Sequence, residues 1–410
     1  MTKHTNAPAL RFPEFRDEWN QNKLSDVVNV YDGTHQTPKY TNEGIKFLSV
    51  ENIKTLNSDK YISKEDFIKE FKIHPEYGDI LMTRIGDIGT PNIVNLKEPL
   101  AYYVSLALLK PININSYFLN SLILSPTVQN ELWRKTLHIA FPKKINKNEI
   151  AKVLINYPTF NEQEKIGYFF SKLDRQIELE EKKLELLEQQ KRGYMQKIFT
   201  QELKFENSQL ENIKWSYKTL EELNSFFTDG NYGESYPKSE DMSDKNDGVA
   251  FLRGSNLKKG RITLEDANYI SKKKHSELTT GHLFLDDIVI AVRGSLGAVG
   301  YVNENMVGNN INSQLAIIRT SSSLLYGKYL LYYLMSNQGK KELLSRVTGT
   351  ALKQLPIKQI KQIKVPVPKL HEQHKIANFL SELDNLIDNQ TKKMEILKQR
   401  KQGLLQKMFV

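Results

Sequence analysis

Two long stretches of the chain carry apolar residues spaced alternately four and three apart. In the first the stripe runs through Ile166, Phe170, Leu173, Ile177, Leu184 and Leu187, then Tyr194 and Ile198. In the second, Ile376, Leu380, Leu383, Ile387, Met394 and Leu397 repeat the register, followed by Leu404 and Met408. A heptad a/d stripe of this kind predicts a long helix that buries one narrow seam against a partner helix. At about 1.5 Å per residue each helix would run roughly 55 Å, longer than most globular helices. Both stripes break at the same two places, Glu180 or Gln390 and Lys191 or Lys401. Polar seam positions of this sort commonly fix register.

The two stretches are copies. Pro158…Asn161-Glu162-Gln163…Ile166 aligns with Pro368…His371-Glu372-Gln373…Ile376 at an offset of 371 − 161 = 210 residues. Roughly half of about forty paired positions are identical, which marks an internal repeat. The preceding arms repeat as well, with Arg11-Phe-Pro-Glu-Phe leading to Trp19 and Lys204-Phe205 leading to Trp215.

Between the stripes the pattern changes to short strands and turns with some helix. Val27–Tyr31 closed by Asp32-Gly33, Ile45–Val50, and the buried run after Gly78-Asp79 predict strands. The last ends in a glycine loop, Ile85–Gly89, with Arg84 at its shoulder. Tyr117–Leu124 and Val128–Leu137 read as helices, followed by a basic loop at Phe141–Ile145 and a strand at Val153–Tyr157. The second block replays this order: Phe226–Asp229 before Gly230, Gly248–Leu252, then Asp287–Arg293 before Gly294-Ser295-Leu296-Gly297. The expected fold class is α+β: two globular α/β blocks separated by two long helices that form an antiparallel coiled coil, with a pseudo-twofold internal repeat. The expected divisions are 1–157, 158–200, 201–366 and 367–410.

Composition narrows the function. The 410 residues exceed one core and suit two or three domains. There are 58 Lys+Arg against 48 Asp+Glu, a net charge of +10, and the pI is near 9.2. That balance favours a polyanionic partner, nucleic acid before membrane. Cysteine is absent, excluding disulfides, thiolate zinc sites and cysteine catalysis. No long apolar run or leader-like start is present, so a cytoplasmic location is expected.

Catalytic motifs are missing. Arg84-Ile-Gly-Asp-Ile-Gly89 and Arg293–Gly300 are glycine-rich, yet neither is a phosphate-cradling motif. His371-Glu-Gln-His374 suggests a metal, but the first copy has Asn161 and Glu164 there, a pair that resembles a capping box. Glu181-Lys182-Lys183 falls on the exposed side of a helix. No adenine- or cytosine-methylating motif occurs. The chain is expected to be no enzyme and to hold no metal or cofactor of its own.

In its alternation of variable block and long helix, and in the order of these motifs twice over, the chain resembles the specificity subunits of type I restriction–modification enzymes. The carrying residues include the two Pro…Glu-Gln…Ile helix starts, Arg11-Phe-Pro-Glu-Phe…Trp19, Gly78-Asp-Ile-Leu…Arg84-Ile-Gly, and Gly349-Thr350…Lys353 before Val365-Pro-Val-Pro368. The resemblance implies that each block is a target recognition domain reading one half of a split, asymmetric double-stranded DNA site. It implies that the helices space the half-sites and dock two adenine-N6 methyltransferase subunits, which bring S-adenosylmethionine. Two restriction subunits, using ATP and Mg, would join in the full complex. Two heads on one face of B-DNA would read half-sites about one turn, roughly 34–36 Å, apart.

Candidate DNA contacts are the loop donors. In the first head they are His35, Gln36, Thr37, Lys39, Tyr40, Arg84, Asp87, Lys143 and Lys144. In the second they are Asn231, Tyr232, Tyr236, Lys238, Arg253, Ser255, Arg293, Ser295, Thr350 and Lys353. Arg84 and Arg293 stand out, because both heads place an arginine beside a glycine loop and arginine reads guanine bidentately. Phe169, Tyr194 and Phe199 are expected to face a partner subunit. The alternative is a free-standing DNA-binding protein that dimerises between chains through its helices.

Overall fold

The computed structural model describes residues 6–203, 205, 215–350 and 352–410; Lys204 and most of the second arm lie outside the described residues. The chain forms two compact units, residues 1–182 with 391–410, and residues 183–390. Both divisions fall in the middle of a long helix rather than where head meets helix. The reason is that each unit uses half of each helix.

The first unit holds a four-stranded antiparallel sheet in the order Val28–Asp32, Leu106–Pro111, Ile80–Ile85, Asp87–Ile93. A three-stranded sheet of Tyr61–Ile62, Ile45–Leu48 and Leu100–Tyr102 packs beside it. Helices Ser116–Ile123 and Pro126–Arg134 cover the core. The short pair Asn20–Lys23 and Leu154–Tyr157 closes the block where the chain enters the long helix. Ile85–Gly89, expected as a loop, is a hairpin: Gly86, at φ +81°, turns the chain directly into the strand Asp87–Ile93.

The second unit repeats the plan. Ser216–Thr219 pairs with Lys364–Val367, the counterpart of the first unit's closing pair. Its main sheet has six strands, in the order Phe226–Asp229, Leu315–Arg319, Ile288–Ala291, Val299–Tyr301, Gly260–Ile262, Leu257–Lys258. The last two strands have no counterpart in the main sheet among the described residues of the first unit. The glycines that close the first strand of each block, Gly33 and Gly230, are required by crowding. A Cβ on Gly33 would lie 2.5 Å from the Tyr102 carbonyl oxygen, and one on Gly230 would lie 2.0 Å from that of Asn312.

The long helices span Phe160–Phe199 and Leu370–Met408. Within each unit they run antiparallel: Lys401 pairs with Asp174 in the first, Lys191 with Asp384 in the second. These ion pairs are copies of each other at the 210 offset, so the two lysines that interrupt the stripe are satisfied across the seam. Glu180 is likewise met by Lys393. Ile166, Phe170, Ile177, Ile376, Leu380, Leu383 and Leu397 are buried, while Leu173, Leu184, Leu187, Ile387 and Met394 are partly so.

Each core is completed by the end of the other repeat's helix. Leu405, Met408 and Phe409 enter the first core, where Phe409 lies against Trp19, Phe118 and Phe170. Met195, Ile198 and Phe199 do the same in the second, with Phe199 against Tyr329 and Tyr333. Phe199 is therefore core and not a partner surface. Phe169 is half-buried against Phe12 and Phe170, and Tyr194 packs on Phe379. Outward apolar side chains on the helices include Tyr168, Leu179, Leu186, Leu386 and Ile396, and Tyr194 stays 38% exposed beside Phe379.

The repeated Glu-Gln at the helix start ties helix to head. Gln163 donates to the Pro158 carbonyl and accepts from the Asn115 amide; Gln373 does the same with Pro368 and Tyr326. Glu162 takes a bidentate pair from Arg11 at 2.7 Å, and Glu372 accepts from the Trp215 indole. Asn161 and Glu164 are exposed inside the helix, so the expected capping box does not form; the Thr159 carbonyl accepts the first helical bond, from Gln163. His374 stacks on Tyr326.

Candidate nucleic-acid interface

In the first head, three loops are gathered around one buried arginine. Arg84 is 4% exposed; its guanidinium pairs with Asp32 and its Nε donates to the Ile145 carbonyl at 2.9 Å. Asp32 anchors the 33–44 loop, Arg84 precedes the hairpin turn, and Ile145 ends the basic loop. Backbone bonds complete the stitching, from Ile145 N–H to the Arg84 carbonyl and from Gly86 N–H to the Lys143 carbonyl. Arg84 was expected to read a base. It is instead the internal tie of this surface, since a buried guanidinium already committed to a carboxylate and a carbonyl is held away from any ligand.

The other candidates lie outside that tie. His35, Gln36, Thr37, Lys39 and Tyr40 are exposed on one loop, with His35 Nε2 4.0 Å from Asp32. Tyr40 lies edge-on to Phe47 beneath it. Asp87, Lys143 and Lys144 are exposed on the two stitched loops, and Asp87 accepts from the Thr83 hydroxyl. The structure thus joins the hairpin turn and basic loop directly, and links them through Asp32 and Arg84 to the first loop.

The second head uses the matched arginine differently. Arg293 is exposed, makes no ion pair among the described residues, and lies with its guanidinium carbon 5.3 Å from the Tyr232 ring centroid. Tyr232 donates to the Ser313 carbonyl, which fixes the ring as a platform. Burial, and secondarily Asp229, raises the phenol above its ordinary range, so it stays protonated at neutral pH. Asp229, Tyr232, Arg293 and Gln354 line a shallow cleft. Leu355 N–H donates to the Val292 carbonyl, bringing the loop that carries Thr350 and Lys353 to the cleft.

Ser255, Ser295, Tyr236, Lys238, Thr350 and Lys353 are exposed. Asn231 is not: it is 4% exposed, donates to the Thr280 carbonyl and accepts from the Thr280 hydroxyl. A buried amide engaged through both its nitrogen and its oxygen is a loop brace rather than the exposed DNA contact the sequence suggests. Arg253 is half-buried and tied to the Asp266 carbonyl.

Sequence reasoning missed Trp133 and His138. The indole is half-exposed, with the His138 ring centroid 4.5 Å from its own and Lys143 Nζ 4.5 Å above it. The available signal was the acid-free run between Glu131 and Glu149. Among the described residues no group of three or more His, Cys, Asp or Glu could hold a metal, and no helix is long and apolar enough to cross a membrane.

The chain matches the family model of the type I restriction–modification DNA specificity domain twice, over residues 16–189 and 212–399. It belongs to the specificity subunits of type I restriction–modification enzymes. Specificity subunits are the DNA-recognition components of those enzymes and are not catalytic. A putative type I specificity subunit of Methanocaldococcus jannaschii, MjaX, is 26% identical over 98% of this chain and 95% of the relative. The EcoBI specificity subunit of Escherichia coli is 21% identical over 96% and 85%. In fold, the specificity subunit solved from M. genitalium superposes with a TM-score of 0.63 at 17% identity, covering 98% of this chain and 99% of that one.

Proposed function

We propose that each head of this specificity subunit reads one half of a bipartite, asymmetric double-stranded DNA site. The observation that carries this is one scaffold with two different surfaces: the same strand order and arginine position support a latched Arg84 in one head and a free Arg293 over Tyr232 in the other. A shared frame with unlike loops suits two unlike half-sites. Arg293 is the best base reader, with Gln36 on the first head; Lys39, Lys143, Lys144, Lys238 and Lys353 suit phosphates.

The helices would set the distance between half-sites and dock two adenine-N6 methyltransferase subunits, and through them two restriction subunits. Support for docking comes from the outward Leu179, Leu186, Leu386 and Ile396. A solved structure concerned with complex assembly and conformational transition of the type I system resembles this chain with a TM-score of 0.56. S-adenosylmethionine would belong to the methyltransferase partner, and ATP and Mg to the restriction partner. The seam that the free-standing dimer would need is already occupied within the chain.

Mapping methylated adenines in cells with and without this gene, the methyltransferase subunit present in both, tests the reading. A split motif with a fixed gap should appear only with the gene. An unchanged methylation map, with the subunits shown to associate, would refute DNA reading by these heads.

A further inference from the structure

The first head carries an apolar tip on a basic loop. Leu137 N–H donates to the Lys144 carbonyl, closing a tight loop that projects Ile139 and Phe141 with essentially their whole side chains in solvent, at 99% and 104% exposure. The loop is not slack: its returning strand is bonded to the hairpin turn at Gly86, beside Asp87. Its foot is the cluster of Trp133, His138 edge-on to it, and Lys143 over the indole. From Leu132 to Asn148 there is no acid, and Lys135, Lys143, Lys144 and Lys147 make no ion pair among the described residues.

The second head presents the same device at the matching place. Thr348 and Gln354 exchange backbone hydrogen bonds, and the loop between them holds Leu352 at 88% exposure, beside Lys353. Leu352 stands opposite Pro142 at the 210 offset. Two heads that differ in most surface loops both hold out a bare apolar side chain here.

We propose that Ile139 and Phe141, and Leu352 in the second head, are wedges that enter the base stack of the DNA half-site each head binds. Bare apolar side chains with lysines following them, Lys143 and Lys144 in the first head and Lys353 in the second, suit this occupant. Lysine contacts to phosphate hold a protein in register on the duplex, and apolar residues of this kind are the ones that insert between base steps. The centre of a protein–protein contact, by contrast, is depleted of lysine. The proposal rests on the reading of the heads as DNA binders.

The test uses the full chain assembled with its methyltransferase subunits, and a duplex bearing the split motif with 2-aminopurine at successive positions. Unstacking should raise emission at one step of the first half-site, apart from the adenine that is methylated. Phe141→Ala should abolish that rise and weaken binding about tenfold, the scale of one lost aromatic stack. Leu352→Ala should act on the second half-site alone. Because both side chains are exposed, an unchanged melting temperature verifies folding. Full affinity and an unchanged emission pattern in the variants would overturn the wedge while leaving DNA reading intact. A wild-type complex with no preference for the motif would overturn both. Loss of methyltransferase assembly in Phe141→Ala would make the tip a protein contact and also end the proposal.

Discussion

Arg84 and Arg293 occupy matched places beside glycine turns, and the sequence offers no reason to treat them differently. The difference lies in what each meets. Arg84 reaches Asp32, 52 positions earlier in the chain, and is buried; Arg293 meets the face of Tyr232 and stays in solvent. Arg84→Ala should therefore cost stability, roughly 3 kcal/mol for a broken buried pair, and disturb three loops together. Arg293→Ala should leave thermal unfolding unchanged and lose about 1–3 kcal/mol of discrimination at one base of one half-site. Denaturant melts and competition binding against single-base variants separate the two. Asn231 teaches the same lesson: a polar loop residue is a contact or a brace according to long-range partners that local pattern does not contain.

At the level of elements, the helices were the most legible part of the chain, because a period of 3.5 sustained over five heptads has few other readings. The seam positions follow from it, and the antiparallel pairing from the alternation of block and helix; the partner strands Asn20–Lys23 and Ser216–Thr219, which close each block, carried no such signal. Less legible were the hairpin at Gly86, read as a loop, and the strands Leu257–Lys258 and Gly260–Ile262, too short to announce themselves. The interrupting lysines are where pattern and packing meet. Lys191 is largely shielded and bonds Asp384, which also accepts from the Tyr332 hydroxyl. Lys191→Ala would leave that carboxylate without its cation and should destabilise the second unit by about 1–3 kcal/mol. Asp384→Asn in the same chain should recover part of the loss. If the double variant is no more stable in urea than Lys191→Ala alone, the pair is not what holds the register.

For the molecule as a whole, the matched helix ends are interchangeable in kind. Met195, Ile198 and Phe199 stand at the 210 offset from Leu405, Met408 and Phe409, and Lys191 stands so from Lys401. A chain cut to residues 1–200 should therefore form a symmetric dimer, each copy lending Phe199 to the other's open core and Lys191 to the other's Asp174. Light scattering should give twice the chain mass, and Phe199→Ala should return it to an unstable monomer. A folded monomer would show that the first core closes without a borrowed helix end.

The placement of Phe409 in the first core has a consequence in time. Residues up to Tyr157 emerge from the ribosome about 250 positions before Phe409, a wait on the order of tens of seconds at common elongation rates. Throughout that interval the earlier-made head lacks its last wall. Synthesis order and folding order are thus reversed for this head: it finishes only after the second head and second long helix have been made. A ribosome that stalls within the second head then releases a product whose first head is unfinished as well, so translation errors yield no half-competent reader unless two such products meet.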